Sequence, residues 1–285
     1  MTQYVDPYLG SGGHGHVFVG ANVPYGLVQL GPSSIPQEWD WTSGYHISDS
    51  TVIGFPHMHL SGTGIGDLHD ITLMPVTGEV TYARGVESDQ TSGLWSYSDR
   101  SKEVVKPGYY ATHLLRYNVD VELTATKRVG FHKYTFNQKE NAAVVFDLQN
   151  GGCWDSPTKA YINKVDDKTI EGYRYSSGWA NDQRVFFVAE FSEPITSLDV
   201  IVDRGEAVAD KGEGKIIYAR ANVDAQKPVY VKVALSPTSI ENAKLNMQTE
   251  LPGWDFEGTI AQADQAWEKA LGKITMEASS DKTKK

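Results

Sequence analysis

The second half of the chain alternates apolar and polar residues with a period of two, and this pattern restricts the possible folds more than any other feature. The stretch 109–136, which reads YYATHLLRYNVDVELTATKRVGFHKYTF, is rich in β-branched and aromatic residues, as half-buried strands require. Four further strands are predicted in NAAVVFDLQ, RVFFVAEFS, KIIYARANV and PVYVKVALS. Because no crossover helix is indicated between them, the strands are predicted to form antiparallel sheets.

Glycine, histidine, proline and aromatic residues dominate residues 1–85, where the apolar runs are short, as in VPYGLVQLG and DITLMPVTG. Such a segment is predicted to form short strands joined by long, ordered loops. The stretch RYSSGWANDQR, residues 174–184, is interpreted as another loop between strands. Its residues either line a pocket or cap a turn.

The pattern becomes helical near the end of the chain. Thr238 and Glu241 have the spacing of a capping box, which marks the start of a helix. A second helix would place four apolar residues on one face: Ile260, Ala263, Trp267 and Leu271. We therefore predict a β-sandwich domain over residues 1–237 and a helical linker over 238–285, with a frayed polar end from residue 277. The apolar stripe must be covered either by the sandwich or by a following domain.

Composition excludes several classes of function. The chain has 285 residues, of which 40% are hydrophobic and 22% charged, as in ordinary globular proteins. A formal net charge of −10 argues against a phosphate-binding surface, so nucleic acid is not an expected partner. The single cysteine, Cys153, cannot form an internal disulfide. The sequence contains neither an apolar run long enough for a membrane span nor a signal peptide in its opening MTQYVDPY.

Six of the eight histidines precede residue 70, and four of them form two H-x-H pairs, His14 with His16 and His57 with His59. On a strand, residues i and i+2 point to the same face about 6.5–7 Å apart, so a pair of this kind could bind zinc or iron. Cupin-like metal sites usually have a carboxylate a few residues later, whereas the first acid after His59 is Asp67. Hydrogen bonding of these histidines to the loop backbone is the alternative interpretation.

The stretch EWDWTSGYH favours a carbohydrate surface. Aromatic rings such as Trp39 and Trp41 stack on the apolar faces of sugars, and a carboxylate such as Asp40 accepts sugar hydroxyls. We expect one of the two tryptophans to be exposed and the other to belong to the core, since tryptophan is usually largely buried. Glycosidases use two carboxyl groups, but no sequence context marks Asp40, Asp49, Asp67 or Asp70 as one of them.

The glycine-rich stretch SGTGIGD, residues 61–67, has some likeness to a phosphate loop. It lacks the lysine of a P-loop and no helical pattern follows, so a nucleotide site is rejected. The glycines more readily permit positive φ angles or close approach of the backbone to a ligand. Close approach would let a ligand hydroxyl meet backbone N–H groups of this loop.

Several blocks together resemble the N-terminal part of glycoside hydrolase family 92. They are VDPYLGSGGHGHVFVGANVPYGLVQLGP, WDWTSGYHISDSTVIGFPHMHLSGTGIGD, KPGYY with VELTATKRVGFHKYTF, SSGWANDQRVFFVAEFS and VALSPTSIENAKLNM. Their order and spacing cover nearly the whole chain, from about Tyr4 to Lys273. The resemblance implies an antiparallel β-supersandwich, galactose-mutarotase-like, joined by C-terminal linker helices to an (α/α)6 barrel. Pro56, Met58 and His69 depart from the family pattern, which puts His69 in doubt as a ligand.

The family resemblance also implies a function. Members are calcium-dependent, inverting exo-acting α-mannosidases, so the expected substrate is a mannose-containing glycan and the expected partner is the C-terminal barrel. The catalytic acid, the catalytic base and most Ca²⁺ ligands of the family belong to that barrel, and none is expected here. The resemblance implies that loops of this domain help to wall the pocket, through Trp39, Asp40, Trp41, His57, His59, Gly62, Thr63 and Asp67.

Two other functions stay open at this stage. One is a stand-alone carbohydrate-binding β-sandwich, and the other is a metal enzyme built on the H-x-H pairs. The resemblance suggests a secreted, periplasmic or cell-surface location. We expect the barrel to follow this chain, and we expect the chain alone to be inactive.

Overall fold

The predicted strands are present throughout the part of the chain that the structure describes, residues 1–151, 154–274 and 280. Cys153 and most of the polar end lie outside these residues. The strands of this computed structural model are, in chain order, β1 Ala21–Asn22, β2 Gln29–Leu30, β3 Thr51–Val52, β4 Thr72–Val76, β5 Ser96–Tyr97, β6 Val104–Lys106, β7 Tyr109–Leu114, β8 Val119–Ala125, β9 Val129–Phe136, β10 Ala143–Asp147, β11 Ser156–Lys164, β12 Thr169–Ser177, β13 Gln183–Phe191, β14 Ile195–Val202, β15 Ala207–Ala209, β16 Lys211–Gly214, β17 Ile217–Val223 and β18 Val229–Ser236.

Two large sheets contain most of these strands. The nine-stranded sheet has the order β16-β11-β12-β13-β18-β9-β8-β7-β6, and the five-stranded sheet has the order β15-β14-β17-β10-β4. Two small sheets pair β1 with β2 and β3 with β5. Every strand pairing within the described residues is antiparallel. The predicted mainly β, antiparallel fold is therefore confirmed.

The main core lies between the two large sheets. Phe146 of β10 stacks on Phe187 of β13 with ring centroids 5.8 Å apart, and it also meets Phe191 at 6.3 Å. All three rings are shielded from solvent and belong to one apolar cluster, to which both sheets contribute side chains. Burying a side chain of this size contributes about 1.5–3 kcal/mol. This layer makes the two sheets a rigid support for the loops that leave them.

Two helices, α1 Ile240–Glu250 and α2 Phe256–Leu271, cover the outer face of the nine-stranded sheet. Phe131 of β9 meets Phe256 at 5.0 Å, within a second apolar cluster. On the predicted stripe of α2, Ala263 is fully buried and Trp267 donates from Nε1 to the carbonyl oxygen of Asn22 at 2.7 Å. The sandwich itself therefore contacts the stripe, whereas Ile260, Trp267 and Leu271 stay only partly buried.

The start of α1 differs from the prediction by one residue. Its N-cap is Ser239, whose side chain accepts a hydrogen bond from the Asn242 backbone N–H at 3.1 Å. Thr238 was the wrong choice, because its hydroxyl lies one position too early and accepts instead from the Asn242 side chain at 2.7 Å. Neither helix of the described ranges has the length and apolar character needed to cross a membrane.

The interpretation of residues 174–184 as a loop was wrong at both ends. Residues up to Ser177 continue β12, and β13 begins at Gln183, so the connection is a hairpin of residues 178–182. In β12 the inward positions include Gly172, Arg174 and Ser176, an unusual set for a core-facing row. The segment before β4, residues 53–71, remains irregular and carries the histidine- and glycine-rich loop.

Candidate functional site

The predicted aromatic pair stands on a single turn of 3₁₀ helix, Trp39–Trp41. Trp39 is 54% exposed. Its indole Nε1 donates to the carbonyl oxygen of Gly64 at 2.9 Å, and its ring packs edge-on against His16 with centroids 4.2 Å apart. One edge of the indole is thus fixed to the glycine-rich loop while much of the ring faces solvent. A fixed, exposed aromatic face is suited to stacking on an apolar ligand surface.

Asp40 lies beside that ring and holds the first H-x-H pair. Its Oδ1 accepts hydrogen bonds from Nδ1 of His14 at 2.7 Å and from Nε2 of His16 at 3.0 Å. The bond from His14 is the main cause that lowers the pKa of Asp40 below its ordinary value. Asp40 therefore carries a negative charge at neutral pH and orients both imidazoles, which explains this pair without a metal.

Trp41 points away from the exposed face of its neighbour. It is half-buried, its ring stacks on His46 at 4.2 Å, and Nε1 donates to Oδ2 of Asp49 at 2.7 Å. Oδ1 of the buried Asp49 accepts from the backbone N–H of Thr51 at 2.7 Å. Trp41 therefore anchors the turn that presents Trp39, but it is half-buried and does not belong to the core as expected.

The tip of the glycine-rich loop is open to solvent at Gly62 and Thr63. Gly62 has a φ of 77°, and its N–H donates to the carbonyl oxygen of His16 at 2.6 Å. Gly64 has a φ of 66°, and a Cβ there would lie 2.9 Å from the Trp39 ring. Only glycine allows both this backbone conformation and this contact. The loop and the indole therefore form one exposed surface with Asp40.

His57 and His59 lie behind this surface. His57 is fully buried; Nδ1 donates to the carbonyl oxygen of Ile71 at 2.6 Å, and Nε2 lies 2.9 Å from Nε2 of His132. Tyr134 donates from its hydroxyl to Nδ1 of His132 at 2.7 Å. Burial lowers the pKa of His57 to about 4 and that of His132 well below its ordinary value. Both rings are therefore neutral, and the carbonyl acceptor fixes the direction of every hydrogen bond in the row.

His59 is also buried, with different partners. Its Nδ1 donates to the carbonyl oxygen of Gln29 at 2.8 Å, and its Nε2 lies 3.3 Å from the hydroxyl of Ser33. Burial lowers its pKa to about 4. Across the described ranges, no group of three or more histidine, cysteine, aspartate or glutamate side chains is placed to hold a metal ion. The geometry thus favours the backbone-bonded interpretation of the second H-x-H pair.

Asp67 is buried and fixes the inner end of the loop. Oδ1 accepts from the backbone N–H of Leu68 and Oδ2 from that of Trp179, both at 2.8 Å. A Cβ at Gly178 would lie 2.7 Å from the same Oδ2, so the hairpin can approach only with glycine there. Asp67 therefore joins the glycine-rich loop to the β12–β13 hairpin.

A buried ion-pair cluster below the loop was not singled out by the sequence. Arg174 of β12 contacts Oδ1 of Asp70 and Oδ2 of Asp155, both at 2.6 Å, with all three side chains shielded from solvent. Gln183 donates to the other oxygen of Asp70 at 2.6 Å. Burial raises the pKa of Asp70 to about 6, and Arg174 opposes that rise. The cluster holds the loop, the hairpin and the segment around residue 155 together.

Comparison with known families agrees with this architecture. The description "Glycosyl hydrolase family 92 N-terminal domain" matches residues 4–236, and "Glycosyl hydrolase family 92 catalytic domain" matches residues 242–285. The chain belongs to glycosyl hydrolase family 92, which confirms the resemblance seen in the sequence.

Three relatives show the similarity to this family in more detail. A family 92 α-mannosidase from Bacteroides thetaiotaomicron, solved with mannoimidazole, is 35% identical over 97% of this chain, with a TM-score of 0.91. An inverting family 92 mannosidase from the same species is 22% identical over 98% of the chain with a TM-score of 0.81, a likeness of fold. An uncharacterized secreted glycosidase from Arthroderma benhamiae is 24% identical over 98%. The chain spans only 38%, 37% and 39% of these three relatives.

Proposed function

We propose that this chain is the N-terminal domain of an inverting exo-α-mannosidase and forms one wall of its glycan pocket. The observation that carries the proposal is the Trp39 indole, which is exposed yet fixed at its edge by the bond to Gly64. The 35% identical relative is an α-mannosidase solved with a mannose-like ligand. Family membership and the exposed aromatic surface support the same assignment.

The candidate residues divide into two groups in this proposal. Trp39, Asp40, Gly62 and Thr63 lie at or near the exposed surface and would meet the terminal mannose directly. The others hold that surface in place from behind, through the contacts described above: Trp41, His57, His59 and Asp67. Positioning of this kind lowers the barrier because the sugar is held ready for reaction.

The catalytic groups are proposed to lie in an (α/α)6 barrel that the helical linker, residues 238–285, joins to this domain in the intact enzyme. A carboxylic acid there would protonate the leaving oxygen, and a carboxylate would activate water on the opposite face, which inverts the anomeric centre. Bound Ca²⁺ would hold mannose hydroxyls. The described residues offer no three-ligand cluster for it, so its ligands are assigned mainly to the barrel.

Hydrolysis of α-mannosides tests the proposal. The intact enzyme should release mannose, lose activity with a chelator and regain it with Ca²⁺. Trp39→Ala should lower kcat/KM by about tenfold, the effect of about 1.4 kcal/mol, whereas Trp254→Ala, a 40% exposed tryptophan beside Lys232, should not. The 285-residue chain alone should show no turnover. Metal-dependent turnover by that chain would contradict the assignment of catalysis to the barrel.

A stand-alone carbohydrate-binding role is the second candidate, because the Trp39 surface is complete within this chain. Titration of the chain with mannosides would then give saturable binding that Trp39→Ala abolishes and Trp254→Ala leaves intact. A metal enzyme based on the H-x-H pairs is a weaker candidate, since His14 and His16 both contact Asp40 while His57 and His59 contact backbone carbonyls. Stoichiometric zinc, iron or manganese in the purified chain would support the metal-enzyme candidate.

A further inference from the structure

Three exposed tryptophans are attached to one short segment of the glycine-rich loop, residues 64–67. Trp39 donates to Gly64, as described, and the backbone N–H of Trp154 donates to the carbonyl oxygen of Gly66 at 2.9 Å. The backbone N–H of Trp179 donates to Asp67 at 2.8 Å. Consecutive Cα atoms are 3.8 Å apart, so the attachment points span at most about 11 Å. Three of the seven tryptophans in the chain are therefore attached to this one segment, Trp39 by its indole and Trp154 and Trp179 by their backbone N–H groups.

The indoles of Trp154 and Trp179 are not part of the hydrophobic core. Trp154 is 51% exposed and Trp179 is 66% exposed. Exposed apolar side chains gathered near one another mark interaction sites, whereas singly scattered ones need no explanation. By contrast, Trp95 is completely buried among apolar neighbours.

The backbone that carries each indole is held firmly. Trp179 follows Gly178, whose N–H donates to the carbonyl oxygen of Ala180 at 2.9 Å and closes the hairpin. Trp154 precedes Asp155, whose carboxylate pairs with the buried Arg174 at 2.6 Å. Both segments are thus fixed by buried polar contacts directly beside an exposed aromatic ring. Such preorganisation reduces the entropy lost on binding.

We propose that Trp154 and Trp179 form a second stacking surface, which binds the sugar rings on the leaving-group side of the bond to be cleaved. This inference rests on the proposed function, in which Trp39 meets the terminal mannose. The occupant is the remainder of the same glycan, because all three tryptophans are attached to the loop within the length of a short oligosaccharide. Pyranose rings present apolar C–H faces that indoles cover, and their hydroxyls remain free for polar groups nearby.

The test compares two substrates of the intact enzyme. An aryl α-mannoside has a leaving group without sugar rings, whereas an α-linked mannotriose places sugars beyond the terminal residue. Trp179→Ala and Trp154→Ala should each lower kcat/KM for the mannotriose by about tenfold and leave the aryl substrate within about twofold. Trp254→Ala is the matched control and should change neither.

The outcomes separate this inference from the function on which it rests. Equal losses on both substrates, or no loss on either, would overturn the second surface while leaving α-mannosidase activity intact. Wild-type enzyme that hydrolyses neither substrate would contradict the proposed function itself. Titration of the 285-residue chain with mannotriose then decides the surface separately: binding lost in Trp179→Ala supports it, and binding unchanged in that variant refutes it.

Discussion

Acidification should destabilise this domain because its buried histidines can exist there only in the neutral form. The pKa of His57 and that of His59 are both lowered from 6.5 to about 4 by burial. Between these values the unfolded chain binds two protons that the folded chain does not. Stability is therefore fully present above about pH 6.5 and is lost as the pH falls towards 4.

The size of this loss of stability follows from the pKa shifts. Each lowered pKa of about 2.5 units corresponds to about 3.4 kcal/mol, so the two histidines together contribute about 7 kcal/mol. Asp70 acts in the opposite sense: its pKa is raised from 3.8 to about 6, so the folded chain retains a proton that the unfolded chain releases, worth about 3 kcal/mol. These three groups alone give a net loss of about 4 kcal/mol between pH 7 and pH 4, a large part of a typical folding free energy. The lowered pKa values of His69 and His132 add to this loss, and the raised pKa values of Asp147 and Asp155 oppose it.

Denaturant unfolding followed by tryptophan fluorescence at several pH values between 7 and 4 measures this dependence. The variant His59→Asn isolates one histidine, since the asparagine amide can donate to the Gln29 carbonyl in place of Nδ1 but does not titrate. Its pH dependence should be smaller by about 3.4 kcal/mol. His14→Asn is the comparison for an exposed histidine: its side chain is 78% exposed, and its effect should be confined to the pH range in which Asp40, its partner, titrates. A wild-type stability that is flat or rises on acidification would refute the reasoning, as would an unchanged slope in His59→Asn.

Three further predictions concern the supports of the site, each checked by denaturant unfolding. Asp67→Ala removes the acceptor of two backbone N–H groups and should cost about 2–4 kcal/mol, whereas Asp67→Asn, which keeps one acceptor oxygen, should cost less. Arg174→Met leaves two buried carboxyl groups without their cation and should cost about 3–5 kcal/mol at pH 7 and less at pH 5, where Asp70 is protonated. Ser239→Ala should cost about 1 kcal/mol by removing the N-cap of α1, and Ser239→Asp should restore it; equal stability of both variants would contradict the cap.

Strands were predictable from sequence where one face of the strand is apolar, as in β13 and β18. Strand β12 was not predicted, because its small and polar residues face inward and its aromatic residues face outward. Its buried row holds Gly172, Arg174 and Ser176, while Tyr173 and Tyr175 stand on the outer face. Alternation alone assigns aromatic residues to the core. The hairpin between β12 and β13 and the ion pairs of the buried Arg174 were therefore not predictable without the pairing of the sheet.

The sequence located the candidate site but not the orientation of its side chains. The WDW turn and the glycine-rich loop do lie together, as the contact between Trp39 and Gly64 shows. Inside an irregular loop, however, spacing does not determine which side chains face solvent, so the burial of His57 and Asp67 could not be predicted. Arg174 meets Asp70 from a strand more than a hundred positions later, and one sequence gives no signal for such a long-range pair.

The position of β18 has a consequence for how the domain can assemble. This strand, the last of the sandwich in chain order, lies in the middle of the nine-stranded sheet and pairs with β9 on one side and β13 on the other. Until residues 229–236 emerge from the ribosome, the sheet exists as two separate halves, each with an open edge. Such edges invite intermolecular pairing, and closing them requires contacts between distant parts of the chain, which form slowly. The domain is therefore most exposed to aggregation just before its synthesis is complete, and a fragment ending before Val229 should be recovered as aggregate while one extending through α2 is recovered as monomeric sandwich.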